Sequence, residues 1–119
     1  MNDHIYWMVE LAIQPDRENE LRTLVEEMVN ATHNNEPGAL DYEYYISNDG
    51  KVCHLFERYV DAEATITHLE GFKAVFADRF VKVFQPIRFV LYGSPSAEVR
   101  EVLAGFNPIY MEAVGGFRR

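Results

Sequence analysis

Two ionisable side chains lie at positions suited to acid–base chemistry. His68 lies at the edge of an apolar stripe on a predicted helix, and Glu57 lies in mid-strand among apolar neighbours. Imidazole titrates near neutral pH, so His68 can act as a general base or anchor a phenolic hydroxyl; alternatively, it is a packing or surface histidine. A carboxylate among apolar groups needs a partner. Glu57 therefore either orients His68 or a substrate hydroxyl, or forms a structural bridge to Arg88 or to an arginine of a second copy.

Aromatic residues accompany these two groups along the chain. Trp7, Tyr42 and Tyr44 occupy alternating positions on predicted strands, and Phe72 follows His68 by one helical turn. Together they can wall a pocket for an aromatic substrate, with phenol groups placed to hydrogen-bond a ring oxygen. Packing in the core is the alternative role for the same side chains.

The hydrophobic pattern predicts the order β-α-β-β-α-β, followed by a short helix and strand. Strands alternate with period two, and helices carry one apolar stripe. Asp61 is suited to cap the second helix, and Asn48-Asp49-Gly50 is typical of a hairpin turn. The predicted elements are strands at 4–13, 39–47, 52–60 and 87–92, helices within 17–33 and at 62–84, then a helix at 97–104 and an edge strand at 109–114.

This order is the ferredoxin-like α+β arrangement, an antiparallel sheet with both helices on one face. Residues 1–93 form the predicted domain, and residues 94–119 form a helix–strand extension. Bulky apolar groups such as Tyr6 and Met8 also occupy the face that the helices would leave open. We therefore expect that face to pack against a second copy in a homodimer. The extension, poor in apolar residues, is expected to dock on the partner or extend its sheet.

Charge and composition exclude several classes of function. With 19 acidic against 11 basic residues and no Lys/Arg cluster, nucleic acid and anionic membranes are disfavoured as partners. The single cysteine rules out an intrachain disulfide and a cysteine-based zinc site, and the histidine spacing matches no metal motif. No stretch is long enough to span a bilayer, and no cationic leader is present. The expectation is a cytoplasmic protein without a metal.

Three segments, in order, resemble the antibiotic biosynthesis monooxygenase (ABM) family. Residues 36–43, EPGALDYE, resemble its E-P-G-x-x-x-Y-E signature. Residues 56–64, FERYVDAEA, are similar to its Y-E-x-W-x-D-x-x-A segment, with Tyr59 in place of tryptophan. Residues 67–74, THLEGFKA, resemble its H-L…F-K segment, with Gly71 expected to break the helix after Leu69. The resemblance covers roughly residues 4–93 and implies a dimeric α+β barrel.

The resemblance also implies an activity. It suggests a cofactor-independent monooxygenase that oxidises a small aromatic phenol or quinol with dioxygen, with His68 and Glu57 as catalytic residues and the four aromatic residues named above as the substrate-binding set. Haem-degrading relatives carry an axial histidine where this chain has Phe76, so neither haem nor another cofactor is expected. Two alternatives remain open: an isomerase of a small carbonyl compound, and a non-catalytic dimeric ligand-binding or stress-response protein.

Overall fold

A computed structural model describes residues 3–119 and contains a mixed five-stranded sheet. Its strand order is β2-β3-β1-β4-β5, and every pairing is antiparallel except the parallel pairing of β4 with β5. This confirms the predicted α+β class and ferredoxin-like order. Within the described residues, no helix is both long and apolar enough to cross a membrane. The elements are β1 Ile5–Ile13, α1 Glu18–Asn35, β2 Ala39–Ile46, β3 Val52–Tyr59, α2 Ala62–Val75, α3 Ala77–Val83, β4 Phe84–Tyr92, α4 Ala97–Leu103, a 3-10 turn Ala104–Phe106 and β5 Ile109–Met111.

Local sequence chemistry explains where these elements begin and turn. The Asp61 carboxylate accepts the backbone N–H of Ala64 at 2.8 Å, which caps α2 as predicted. Ser96 accepts the backbone N–H of Val99 at 3.3 Å and caps α4 in the same way. Gly50, at φ 73°, supplies the left-handed residue that the turn between β2 and β3 requires. These signals involve neighbouring residues only, which is why sequence alone reveals them.

The prediction of one helix over residues 62–84 was wrong. The chain bends at Phe76, α3 ends at Val83, and Phe84 already belongs to β4. The bend brings the Phe80 ring against Phe72 at 5.1 Å and against Phe84 at 4.9 Å between ring centroids. These aromatic contacts lie at the point where the helix is interrupted. Gly71, the expected breaking point, stays helical, since one glycine costs a helix only about 1 kcal/mol.

The fourth strand is longer than predicted, and the fifth is shorter. β4 begins at Phe84 and includes Pro86, which was expected to precede the strand. The register shifts between Glu10 and Leu11 opposite this stretch, and β5 pairs only with residues 90–92. One side of β4 at Pro86 is therefore a free edge, where a missing backbone N–H is tolerated. β5 ends at Met111 rather than at residue 114.

The C-terminal extension packs on this chain's own domain. Val99 and Leu103 of α4 are fully buried in the same core cluster as Trp7 and Leu11. The parallel β5 extends the chain's own sheet beside β4. The expected docking of the extension on a partner, and the domain boundary at residue 93, stay predictions.

The sheet face opposite the helices carries aromatic side chains in the open. Tyr6 stacks on Tyr92 with ring centroids 5.0 Å apart, and Tyr45 packs edge-on against Phe56 at 6.2 Å. Tyr6 and Tyr45 are 36% and 54% exposed. We call this surface the outer face of the sheet. The Arg118 guanidinium of the C-terminal tail lies 6.0 Å from the centre of the Tyr6 ring on this face.

Candidate active site

A cavity of about 520 Å³ lies between the inner face of the sheet and helices α2 and α3. Strand side chains, α2 and the loop between the 3-10 turn and β5 all contribute to its wall. Its size falls within the range of small-molecule sites. Lining residues with aromatic or ionisable side chains include Trp7, Tyr42, Tyr44, Glu57, His68, Phe72, Lys73, Phe80, Phe89 and Phe106.

His68 is held between two carboxylates that come from distant parts of the chain. Its Nδ1 lies 3.0 Å from Glu36 Oε1, and its Nε2 lies 3.1 Å from Glu57 Oε1. Glu36 follows the last residue of α1, Glu57 lies on β3, and His68 lies on α2. Only 5% of His68 is exposed. The ring is therefore fixed in orientation, with both nitrogens occupied.

Glu57 is buried and receives hydrogen bonds at both of its oxygens. The Trp7 indole N–H donates to Oε2 at 2.6 Å, and the Tyr59 hydroxyl donates to Oε1 at 2.5 Å. Because His68 also bonds Oε1, three donors compensate the loss of water around this carboxylate. Glu57 thus contacts His68 and not Arg88, whose guanidinium lies beside Glu10; a role of Glu57 in orienting His68 stays a prediction.

The electrostatics of this cluster keep His68 protonated. Burial by itself disfavours the imidazolium, but the hydrogen bonds and charges of Glu36 and Glu57 outweigh it and raise the pKa of His68 to about 9. At neutral pH the ring is therefore a cation between two carboxylates. In this state it can donate hydrogen bonds and stabilise an anion, but it cannot accept a proton.

Two tyrosines form a second polar group in the cavity wall. The hydroxyls of Tyr42 and Tyr44 lie 2.9 Å apart, and the Tyr44 hydroxyl donates to Met28 Sδ at 3.6 Å. The Tyr42 ring packs edge-on against His68 with 5.3 Å between centroids. Burial raises the pKa of both phenols well above the ordinary range, so both remain neutral. They can position a polar group of a ligand and do not act as bases at physiological pH.

All six candidate site residues named from the sequence line this one cavity. Sequence analysis missed Glu36 and Tyr59 as members of the cluster, although both lie in the family-like segments, at the first residue of E-P-G and at the position where the family has tryptophan. It also missed the contribution of the extension. His54 lies outside the site, on the outer face, with Nε2 3.2 Å from Glu10.

Gly38, the glycine of the E-P-G segment, has a steric role near the site. A Cβ at this position would lie 2.6 Å from the Ala64 Cβ, well inside van der Waals contact. Glycine therefore allows the start of α2 to approach the chain just after Glu36. That close approach helps bring His68 within reach of Glu36.

Solved structures share this fold. MupZ from Pseudomonas fluorescens superimposes with a TM-score of 0.87 at 22% identity, covering 99% of this chain and 96% of its own. A variant of SnoaB, a cofactor-independent oxygenase from Streptomyces nogalater, matches with a TM-score of 0.64 at 13% identity, covering 80% and 96%. A conserved protein from Methanosarcina mazei matches with a TM-score of 0.64 at 18% identity, covering 75% and 90%. The MupZ superposition therefore takes in the C-terminal extension, whereas the other two leave a fifth or more of this chain unmatched.

Sequence comparison gives the family directly. No curated protein sequence matches the chain significantly. The family model described as antibiotic biosynthesis monooxygenase matches residues 4–83, which is more than half of the chain and includes the segments around Glu36, Glu57 and His68. The chain belongs to the antibiotic biosynthesis monooxygenase family.

Proposed function

We propose that the protein is a cofactor-independent monooxygenase that oxidises a small aromatic phenol or quinol with dioxygen. The observation that carries the proposal is the buried His68 cation beside Glu57 at one end of a largely apolar, aromatic-walled cavity. Family membership and the fold shared with the oxygenase SnoaB support the same reaction class.

The proposed mechanism assigns different roles to the two central residues. A phenol enters with its hydroxyl toward Glu57 and His68. The O–H bond breaks, the proton passes to the Glu57 carboxylate, and the positive charge of His68 stabilises the phenolate. Glu57 is then the base, and His68 is the anchor rather than the base. Both are catalytic residues in this proposal, because the substrate oxygen takes the place of Glu57 Oε1 as the acceptor of the His68 Nε2–H while it donates its own proton to Glu57.

The phenolate supplies the electrons for dioxygen. One electron passes from the phenolate to dioxygen, and the resulting superoxide bonds to the para carbon of the substrate radical. The peroxide formed there takes up the proton from Glu57, its O–O bond breaks, and the para C–H proton leaves with the departing oxygen as water. The sum is one phenol and one dioxygen converted to one quinone and one water. Trp7, Tyr42, Tyr44 and Phe72 bind the ring and exclude bulk water from the intermediates.

Oxygen consumption tests this proposal. The purified protein is incubated in an oxygen-electrode cell with a hydroxylated naphthacene that carries hydrogen on the carbon para to its hydroxyl, and the rate above spontaneous oxidation is measured. We expect Glu57→Gln to lower kcat by about 100-fold or more, as for other general bases. Glu26→Gln, the same substitution at an exposed position of α1, is the matched control and should keep the wild-type rate. Uptake that never exceeds spontaneous oxidation contradicts the proposal.

The pairing of an acid with a base favours one second candidate, an isomerase of a small carbonyl compound. His68 can donate a hydrogen bond to a carbonyl oxygen while Glu57 removes the adjacent proton. Such an enzyme would exchange the α-proton of a ketone for deuterium in D₂O without dioxygen. Exchange under anaerobic conditions, with no oxygen uptake in air, supports the isomerase. If neither reaction occurs but a small aromatic compound raises the Tm of the protein, the remaining hypothesis is a non-catalytic ligand-binding protein.

The proposal includes a homodimer formed through the outer face. Exposed Tyr6 and Tyr45 on this face support it, since large exposed aromatic surfaces commonly mark interfaces. Light scattering after size exclusion at micromolar concentration should give twice the 13.8 kDa chain mass. Tyr45→Glu should weaken the dimer, and a stable wild-type monomer contradicts this part of the proposal. A cytoplasmic location stays a prediction from the sequence.

A further inference from the structure

One cation lies at the open end of the cavity with no carboxylate beside it. Lys73, on the exposed side of α2, lines the cavity, and its Nζ lies 6.0 Å from the centre of the Phe106 ring. No ion pair of the described residues involves Lys73. Arg88 also borders the cavity, but its guanidinium contacts Glu10. In a chain with 19 acidic and 11 basic residues, an unpaired lysine at a cavity mouth is well placed to receive an anion.

The extension completes this mouth. Phe106 and Asn107 border the cavity opposite α2, and Phe106 also packs against Phe89 with ring centroids 6.1 Å apart. Asn107 has φ 56°, a left-handed conformation that asparagine tolerates better than most residues. Its side-chain amide carries two N–H donors. Lys73 and Asn107 are therefore two exposed residues with N–H donors that line the same cavity.

The two ends of the cavity differ in charge. At the inner end, His68 already has two carboxylate partners, Glu36 and Glu57. The outer end holds Lys73. An anionic group brought by a ligand therefore gains more at Lys73, which forms no ion pair among the described residues, than at His68, which is already paired. A ligand with one anionic end therefore enters with its opposite end toward His68.

Helix geometry sets the distance between the two ends. Lys73 follows His68 by five residues on α2, which corresponds to about 7.5 Å along the helix axis. Five residues also turn about 140° around the helix axis, so the lysine side chain has to curve toward Phe106 to face the cavity. A ligand whose anionic group lies roughly 8–12 Å from the atom that reaches His68 fits this arrangement. A naphthalene-sized aromatic core spans this separation.

We infer that the cavity takes an aromatic hydroxy acid, whose carboxylate binds Lys73 at the mouth and whose hydroxyl points to the His68 end. The orientation of the hydroxyl rests on the proposed function, whereas the carboxylate site at Lys73 does not. Lys73 and Asn107 are thus specificity-determining residues. Phenols and quinols without an anionic group bind the same cavity more weakly.

A matched pair of ligands tests the inference without turnover. Isothermal titration calorimetry measures the Kd of 6-hydroxy-2-naphthoate and of its neutral carboxamide, under nitrogen. We expect the wild-type protein to bind the acid about three- to tenfold more tightly, because one charge-assisted hydrogen bond forms at a partly exposed site. Lys73→Met should remove this preference, and Lys73→Glu should reverse it. Added salt should reduce the wild-type preference.

Lys82→Met is the matched control, because Lys82 is an exposed lysine of α3 that does not line the cavity. It should keep the wild-type preference for the acid. The inference is overturned if the wild-type protein binds acid and amide equally or binds neither at millimolar concentration. It is also overturned if Lys73→Met and Lys82→Met show the same preference for the acid. If the protein consumes no oxygen but still prefers the acid, only the proposed function is contradicted, because the preference measured by calorimetry does not depend on catalysis.

Discussion

Replacing Glu36 by glutamine is the most direct test of how the site sets the charge of His68. Glutamine has nearly the same shape and keeps a side-chain oxygen that can accept from Nδ1, so the change removes a charge and preserves the hydrogen bond. One of the two carboxylates that raise the pKa of His68 is then lost. The pKa should fall from about 9 by on the order of one pH unit, since Glu57 remains.

The assay is NMR detection of the His68 ring proton at carbon ε1 as the pH is raised. Glu26→Gln is the control, because it removes the same charge from an exposed position of α1. It should leave the pKa of His68 within about 0.2 pH units of the wild-type value, because solvent and distance screen the charge. An unchanged pKa in Glu36→Gln would refute the argument that this carboxylate holds the imidazolium.

The same raised pKa predicts how stability depends on pH. The folded-state pKa of about 9 exceeds the ordinary 6.5, so protonated His68 stabilises the fold fully below pH 6.5, and this contribution is lost as the pH rises through about 9. The difference corresponds to about 3 kcal/mol at 1.36 kcal/mol per pH unit. Urea unfolding, followed by the fluorescence of the single tryptophan, should show a loss of about 2 kcal/mol between pH 6.5 and 8.5. His68→Gln should lack this loss.

Other predictions concern the packing around the site. Gly38→Ala should cost about 1–3 kcal/mol of unfolding free energy, because the new Cβ meets Ala64 at 2.6 Å; Gly71→Ala, where nothing lies within 4 Å, should be neutral or stabilise the helix. Urea unfolding measures both free energies, and equal values for the two variants would contradict the steric role of Gly38. Tyr59→Phe should cost about 1–3 kcal/mol, because it removes a donor to the buried Glu57 carboxylate and adds no clash. A Tm equal to that of the wild-type protein would show that this hydrogen bond contributes nothing net.

Features that depend on neighbouring residues could be predicted well. The strand alternation, the Asp61 cap and the turn at Gly50 follow from local chemistry, and the predicted element order and ferredoxin-like class are confirmed. The break at Phe76 could not be predicted, because no local signal marks it and the rings of Phe72, Phe80 and Phe84 come together only in the folded chain. The start of β4 at Phe84 could not be predicted either, because a strand accepts Pro86 only where no neighbouring strand pairs with that side of it.

By itself, the sequence determined the family, the order of the elements and the six side chains that line the cavity. Their periodicity and motif spacing are properties of short stretches of chain. Only the tertiary structure decided that Glu36, 32 residues before His68, bonds its Nδ1 while Glu57 bonds its Nε2. The charge of His68 follows from those two distances and from burial, so no local pattern could establish whether it is a base or a cation. In the same way, the position of Phe106 and Asn107 at the cavity mouth arises from long-range packing of the extension, which brings together residues that the sequence separates.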